Sequence, residues 1–100
     1  MSNIGTELKI NVHVEPIDGY HMSDYGFACR FYIYTNRYVE VRKEEMIKVD
    51  EDNYIACIDS GKLGAGAILM RITAQIPDAD FPDGLRTEVE TVSTGVTISK

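Results

Sequence analysis

Two stretches of strict alternation constrain this chain more than anything else in it. Leu8, Ile10, Val12 and Val14 alternate with Glu7, Lys9, Asn11 and His13. Ile68, Met70, Ile72, Ala74 and Ile76 alternate with Leu69, Arg71, Thr73 and Gln75. Successive side chains on a strand point to opposite faces, so each stretch has one face for a core and one mainly for water. The pattern leaves little room for a helical alternative and sets the fold class as all-β.

The remaining segments read the same way. Pro16 ends a first strand over residues 7–14, because proline cannot donate to a sheet ladder. Residues 15–26 hold Pro16, Asp18-Gly19, Ser23-Asp24 and Gly26, which is turn chemistry. A second strand at 27–34 sets Phe27, Cys29, Phe31 and Ile33 inward and Ala28, Arg30, Tyr32 and Tyr34 outward. After a Thr35-Asn36 turn, a third strand at 38–42 turns Val39 and Val41 inward. Residues 43–49 admit two readings, a helical turn on Glu44, Glu45 and Met46 or a short strand on Ile47 to Val49. Asp50-Glu51-Asp52-Asn53 is a turn, and the strand after it, 54–58, carries apolar residues on both parities, as if both faces were covered. A loop at 59–66 and a long strand at 67–76 follow. Beyond a second loop at 77–84, the last segment, 85–98, starts on one parity (Thr87, Val89, Thr91) and ends on the other (Val92, Val96, Ile98). Such a phase change predicts a bulge or kink, with Gly95 as its place. Short strands with turn signals between them predict a single immunoglobulin-like antiparallel β-sandwich of about seven strands. No amphipathic helix is available to cover a parallel sheet.

At 100 residues the chain is expected to form one domain around one core. Its 44% apolar and 26% charged residues are globular values. No apolar run approaches the roughly 20 residues of a membrane helix. The segment from Met1 to Thr6 has neither a basic region nor an apolar stretch, so cytoplasmic synthesis without a signal peptide is expected. The net charge of -6 argues against nucleic acid and against anionic membrane surfaces. The densest basic group, Arg37, Arg42 and Lys43, is offset by Glu40, Glu44 and Glu45. Cys29 and Cys57 admit one bridge, but reduced thiols are the expectation without an export signal. Cys29 lies on a core parity, and Cys57 shares the parity of Ile55.

Little in the chain carries catalytic chemistry. His13 is on the outer parity of the first strand, His21 is in a loop, and no nucleophile motif accompanies either. The acidic groups around Asp50–Asp52 and Asp78, Asp80 and Asp83 offer oxygen ligands but lack EF-hand spacing, and they read as turn formers. Gly61-Lys62-Leu63-Gly64-Ala65-Gly66 is no phosphate cradle, because Gly66 opens a strand and not a helix. No catalytic, metal or cofactor residues are assigned. The tyrosines are different. Tyr32 and Tyr34 share an outward parity, with Tyr38, Tyr20 and Tyr25 near in sequence. Tyrosine supplies contact area and a hydroxyl at modest entropic cost, which makes these five the candidate partner-binding residues. The competing reading is that tyrosine is a good strand former and that the 15–26 loop folds over this face.

Several runs, taken in order, resemble a known kind of domain. They are Phe27 to Tyr34, Val39-Glu40-Val41, Val49-Asp50-Glu51-Asp52-Asn53-Tyr54, Lys62-Leu63-Gly64-Ala65-Gly66, and Ile76-Pro77-Asp78 continuing to Arg86. Over residues 8–98 the chain resembles small β-domains encoded by bacterial prophages and integrated mobile elements. More loosely, it is similar to the immunoglobulin-like N-terminal domain of phage baseplate upper proteins. The resemblance implies a virion-associated structural or assembly module with no catalytic residues, whose partners are other proteins of the same particle or element. The expectation from a different class is an adhesion or glycan-binding module, in which exposed tyrosines stack on sugar rings.

Overall fold

The alternating stretches become strands in a computed structural model that describes residues 2–3, 7–34 and 36–99. In chain order they are β1 (Ser2–Asn3), β2 (Glu7–His13), β3 (Gly26–Tyr34), β4 (Arg37–Arg42), β5 (Ile47–Asp50), β6 (Asn53–Asp59), β7 (Gly66–Pro77) and β8 (Leu85–Ser99). Single 3₁₀ turns at Met22–Asp24, Lys43–Glu45 and Ser60–Lys62 interrupt the connections. The strands form two sheets, ordered β1–β8–β7–β3–β4 and β2–β6–β5. Among the described residues every strand pair is antiparallel except the short β1–β8 pair, which is parallel. Among the described residues no helix is long and apolar enough to cross a membrane. Of the segment read for a leader, only Ser2 and Asn3 are described, and Thr35 of the Thr35-Asn36 turn lies outside the described residues.

The two sheets bury their facing sides against each other. Leu8, Ile10 and Val12 from β2 and Tyr54, Ala56 and Ile58 from β6 meet Phe27, Cys29 and Phe31 from β3 and the inward row of β7. All five inward β7 residues, Ile68, Met70, Ile72, Ala74 and Ile76, are buried. Phe27 and Tyr54 bridge the layers edge-to-face at 5.3 Å, a favoured aromatic geometry. Segment 43–49 takes both of its readings in succession, a 3₁₀ turn at Lys43–Glu45 and then β5. Gly66 could not be another residue without rearrangement. It has a φ of +136°, and a Cβ there would lie 2.8 Å from Ile33 Cγ2.

Three readings need correction. Residues of β6 are not covered on both faces: Tyr54, Ala56 and Ile58 are buried, but Cys57 is exposed and both cysteines are free. Cys29 is the core thiol, and burial pushes its pKa up to about 12. The β8 bulge does fall at Gly95, whose φ is +77°, but no face is exchanged there. Ala67 pairs with Thr97 and Leu69 with Ser93, so β8 spends four residues where β7 spends two. An even insertion keeps parity. Glu88, Glu90 and Val92 stand opposite Ala74, Ile72 and Met70, on the same inward side as Ile98. The sequence shows a phase change because the three-stranded sheet covers only part of the five-stranded one. Glutamates are tolerated on this uncovered stretch of the inward side, and Val89 is left on the outer face, 57% exposed. Finally, the 59–66 connection is more than an interstrand loop. Its 3₁₀ turn carries Leu63 into the core at 0% exposure.

Candidate binding face

Strand register assembles the outer face of the larger sheet row by row. Tyr32 on β3 lies between Tyr38 on β4 and Leu69 on β7, and Leu69 faces Ser93 on β8. In the next row Arg30 lies between Glu40 and Arg71, and Arg71 faces Thr91. Beyond that come Arg42, Ala28, Thr73 and Val89. These side chains are brought together by pairing and not by sequence proximity, since one face of neighbouring strands is a continuous surface.

Tyr34 and Tyr38 are the most open of the predicted tyrosines, 54% and 50% exposed, and Tyr32 is half-buried between its neighbours. Tyr38 carries the Arg30 guanidinium over its ring, 4.5 Å from the centroid. Arg30 Nε donates to Glu40 Oε1 at 3.3 Å. Tyr34 stands past a register shift at the end of β3, where its hydroxyl donates to the Ala65 carbonyl at 3.4 Å. A depression of about 100 Å³ is lined by Arg30, Tyr32, Tyr38 and Arg71.

The other two predicted residues are elsewhere. Tyr25 is a core residue, 4% exposed, and belongs to no surface. Burial, then the charge of Asp52, pushes its phenol up to about 12, and its hydroxyl has no hydrogen-bond partner among the described residues. Tyr20 is half-buried against the core, at the end of a two-residue hairpin on Asp18-Gly19 that pairs Ile17 with Tyr20. The connection from β2 to β3 therefore does not lie over Tyr32 and Tyr38. It is tied to the β5–β6 turn instead.

That tie is a polar clasp which sequence reading missed. His21 Nδ1 contacts Asp52 Oδ2 at 2.8 Å, and the Met22 amide donates to Asp52 Oδ1. The Ser23 amide donates to the Glu51 carbonyl, and His13 Nδ1 contacts the Asp52 carbonyl at 2.8 Å. Lys43 Nζ donates to the Ser23 and Tyr25 carbonyls from the other side. The His21 pKa is raised, first by its hydrogen bond to Asp52, with the charges of Asp52, Glu51 and Asp24 adding to it. The His13 pKa is raised, first by its hydrogen bond to Glu15. A histidine with a raised folded-state pKa holds its proton more tightly in the native protein. Its contribution is complete below the unfolded value of 6.5 and fades as pH climbs through the folded value. The melting temperature should therefore drift down between about pH 6 and pH 8. In the His13→Gln/His21→Gln protein that drift should be absent, as a thermal melt series would show. An unchanged slope in the double variant would remove the clasp as its source.

Apart from Asp52, the acidic loops use their carboxylates locally. Asp50 accepts from the Asp52 amide and from Asn53 Nδ2, Asp78 from the Asp80 amide, and Asp83 from the Leu85 amide. These are the side-chain-to-backbone bonds by which Asp starts a turn. The Asp50 pKa is lowered, first by its bond from Asn53. Arg86 ties three elements together by pairing with Asp18, Asp78 and Glu88. Compared with known proteins, the chain matches no family model, no curated protein and no solved structure.

Proposed function

We propose that this chain is a non-enzymatic docking module that binds another protein through the outer face of its five-stranded sheet. The observation that carries the reading is the row Tyr38–Tyr32–Leu69, with Tyr34 beside it, on a face that the 15–26 connection leaves uncovered. Aromatic residues on a rigid sheet supply contact area at small ordering cost, which is the composition of interface anchors. The strand order supports an immunoglobulin-like module. The orders β2–β6–β5 and β8–β7–β3–β4, with a short first strand parallel to the last, correspond to the two sheets of that sandwich. The inter-sheet disulfide and the tryptophan of antibody domains are absent, since the chain has no Trp and both cysteines are free. The role we attach to it, an assembly component of a prophage or mobile element, rests on the sequence resemblance.

A glycan-binding role is the second reading, favoured by the half-exposed rings of Tyr34 and Tyr38. Immobilised chain should retain a protein of its own particle or element, identified by mass spectrometry. Tyr38→Ala and Tyr32→Ala should abolish retention, and Lys9→Ala on the other sheet should leave it intact. Retention that survives both tyrosine changes would discard the face. Saturable binding on a glycan array that depends on Tyr34 and Tyr38 would replace the protein partner with a sugar.

A further inference from the structure

We infer that Arg71, with Tyr38 and Arg30 beside it, is a seat for a carboxylate carried by an acidic segment of the partner protein. The inference rests on the docking reading above and adds the chemistry of the partner. Arg30 and Arg71 are direct cross-strand neighbours, and like charges so placed oppose each other. Arg30 is provided for, because Glu40 accepts from its Nε and Tyr38 lies under its guanidinium. Arg71 is not: among the described residues its side chain has no hydrogen bond or ion pair, and its other neighbour, Thr91, is neutral. It is exposed and held on a strand flanked on both sides, so its base is rigid while its head is free.

Charge decides the occupant. By register the outer face of β3, β4, β7 and β8 carries Arg30, Arg42 and Arg71 against the single carboxylate of Glu40. The chain as a whole carries -6. A cationic face on an acidic molecule orients an acidic partner toward itself and repels it elsewhere. A guanidinium whose donors have no partner among the described residues matches a carboxylate in a two-pronged pair. The depression of about 100 Å³ between Arg71, Arg30, Tyr32 and Tyr38 suits one such head group. A longer trough of about 490 Å³ continues from it past Thr73, Gln75 and Val89, which gives an extended segment a path along the sheet.

The test is a nuclear magnetic resonance titration of the whole chain with acetylated hexaglutamate, using hexaglutamine as the uncharged control. Hexaglutamate should shift the Arg71 Nε–H and Tyr38 ring signals saturably, and added salt should weaken it. Arg71→Gln should weaken binding about tenfold, as expected for a lost charge-assisted pair, and Arg71→Lys should fall between. An unchanged melting temperature in both variants would show that the fold is intact. Equal shifts from hexaglutamine, or full binding by Arg71→Gln, would overturn the seat. N-acetylneuraminic acid binding more tightly than hexaglutamate would overturn the protein occupant in favour of an acidic sugar. A dimer of this chain that Arg71→Gln dissociates would assign the face to a second copy and equally overturn it. Partner retention separates the two claims. If Tyr38→Ala abolishes it and Arg71→Gln does not, the docking face stands and the carboxylate seat falls. If neither abolishes it, both fall.

Discussion

Ile72→Asp should unfold the domain, and Arg71→Asp should leave it folded. The two positions are adjacent, and only their parity differs. Ile72 is 4% exposed in the middle of β7, between β3 and β8, and belongs to the core cluster that both sheets share. Aspartate there removes a buried aliphatic side chain and puts an unpaired carboxylate in its place. Losing the isoleucine alone costs about 2–5 kcal/mol, and burying the charge adds several more unless the group protonates. A 100-residue domain has a total stability of about 5–15 kcal/mol, so the sum reaches or exceeds the whole. Arg71 faces solvent, and replacing it relieves repulsion with Arg30, so its stability should change by no more than about 0.5 kcal/mol. Near-ultraviolet circular dichroism separates the outcomes: tertiary signal lost in one variant and kept in the other. Similar damage from both would mean that the inward and outward assignments along β7 are wrong.

That contrast is also the measure of what the residues alone could say. The strands follow from alternation, which is a local property, so β2, β3 and β7 are legible almost to their ends. Tyr32 and Tyr34 are legible as outward for the same reason. Which strands lie side by side is not local. Arg30 and Arg71 are 41 positions apart in numbering and become neighbours only through the β3–β7 pairing. No periodicity encodes that pairing, so the charge pair at the centre of the binding face could not be read. The His21–Asp52 clasp is hidden for the same reason, since its two halves belong to connections at one end of the sandwich. β8 misleads in the opposite direction. Its glutamates on the inward parity look like solvent residues, and the periodicity cannot tell that the smaller sheet stops short of them. Tyr25 is harder still. A tyrosine flanked by Asp24 and Gly26 reads as loop surface, yet it lies 6.1 Å from Phe27 in an edge-to-face pair within the core.

Leu63→Ala should destabilise the protein as strongly as a substitution in a central strand. Gly61 and Gly64 flank Leu63, and by composition this is the loosest part of the chain. The structure closes it locally. Asp59 accepts from the Gly61 amide at 2.9 Å, and the Leu63 amide donates to the Ser60 carbonyl at 3.1 Å, which completes a 3₁₀ turn and aims Leu63 inward. The side chain is 0% exposed and belongs to the same core cluster as the β2, β6 and β7 residues. Truncation to alanine forfeits its burial and leaves a cavity that the turn closes over only in part, at a cost of about 3 kcal/mol. For a domain of this size that lowers the melting temperature by about 10–20 °C. Lys62→Ala, one position earlier and exposed, should stay within about 0.5 kcal/mol. Urea unfolding of the two variants measures the difference, with an unchanged slope showing that the denatured state is comparable. If Leu63→Ala shifts the midpoint no more than Lys62→Ala does, the connection contributes nothing to the core, and the end of the sandwich is held by its strands alone.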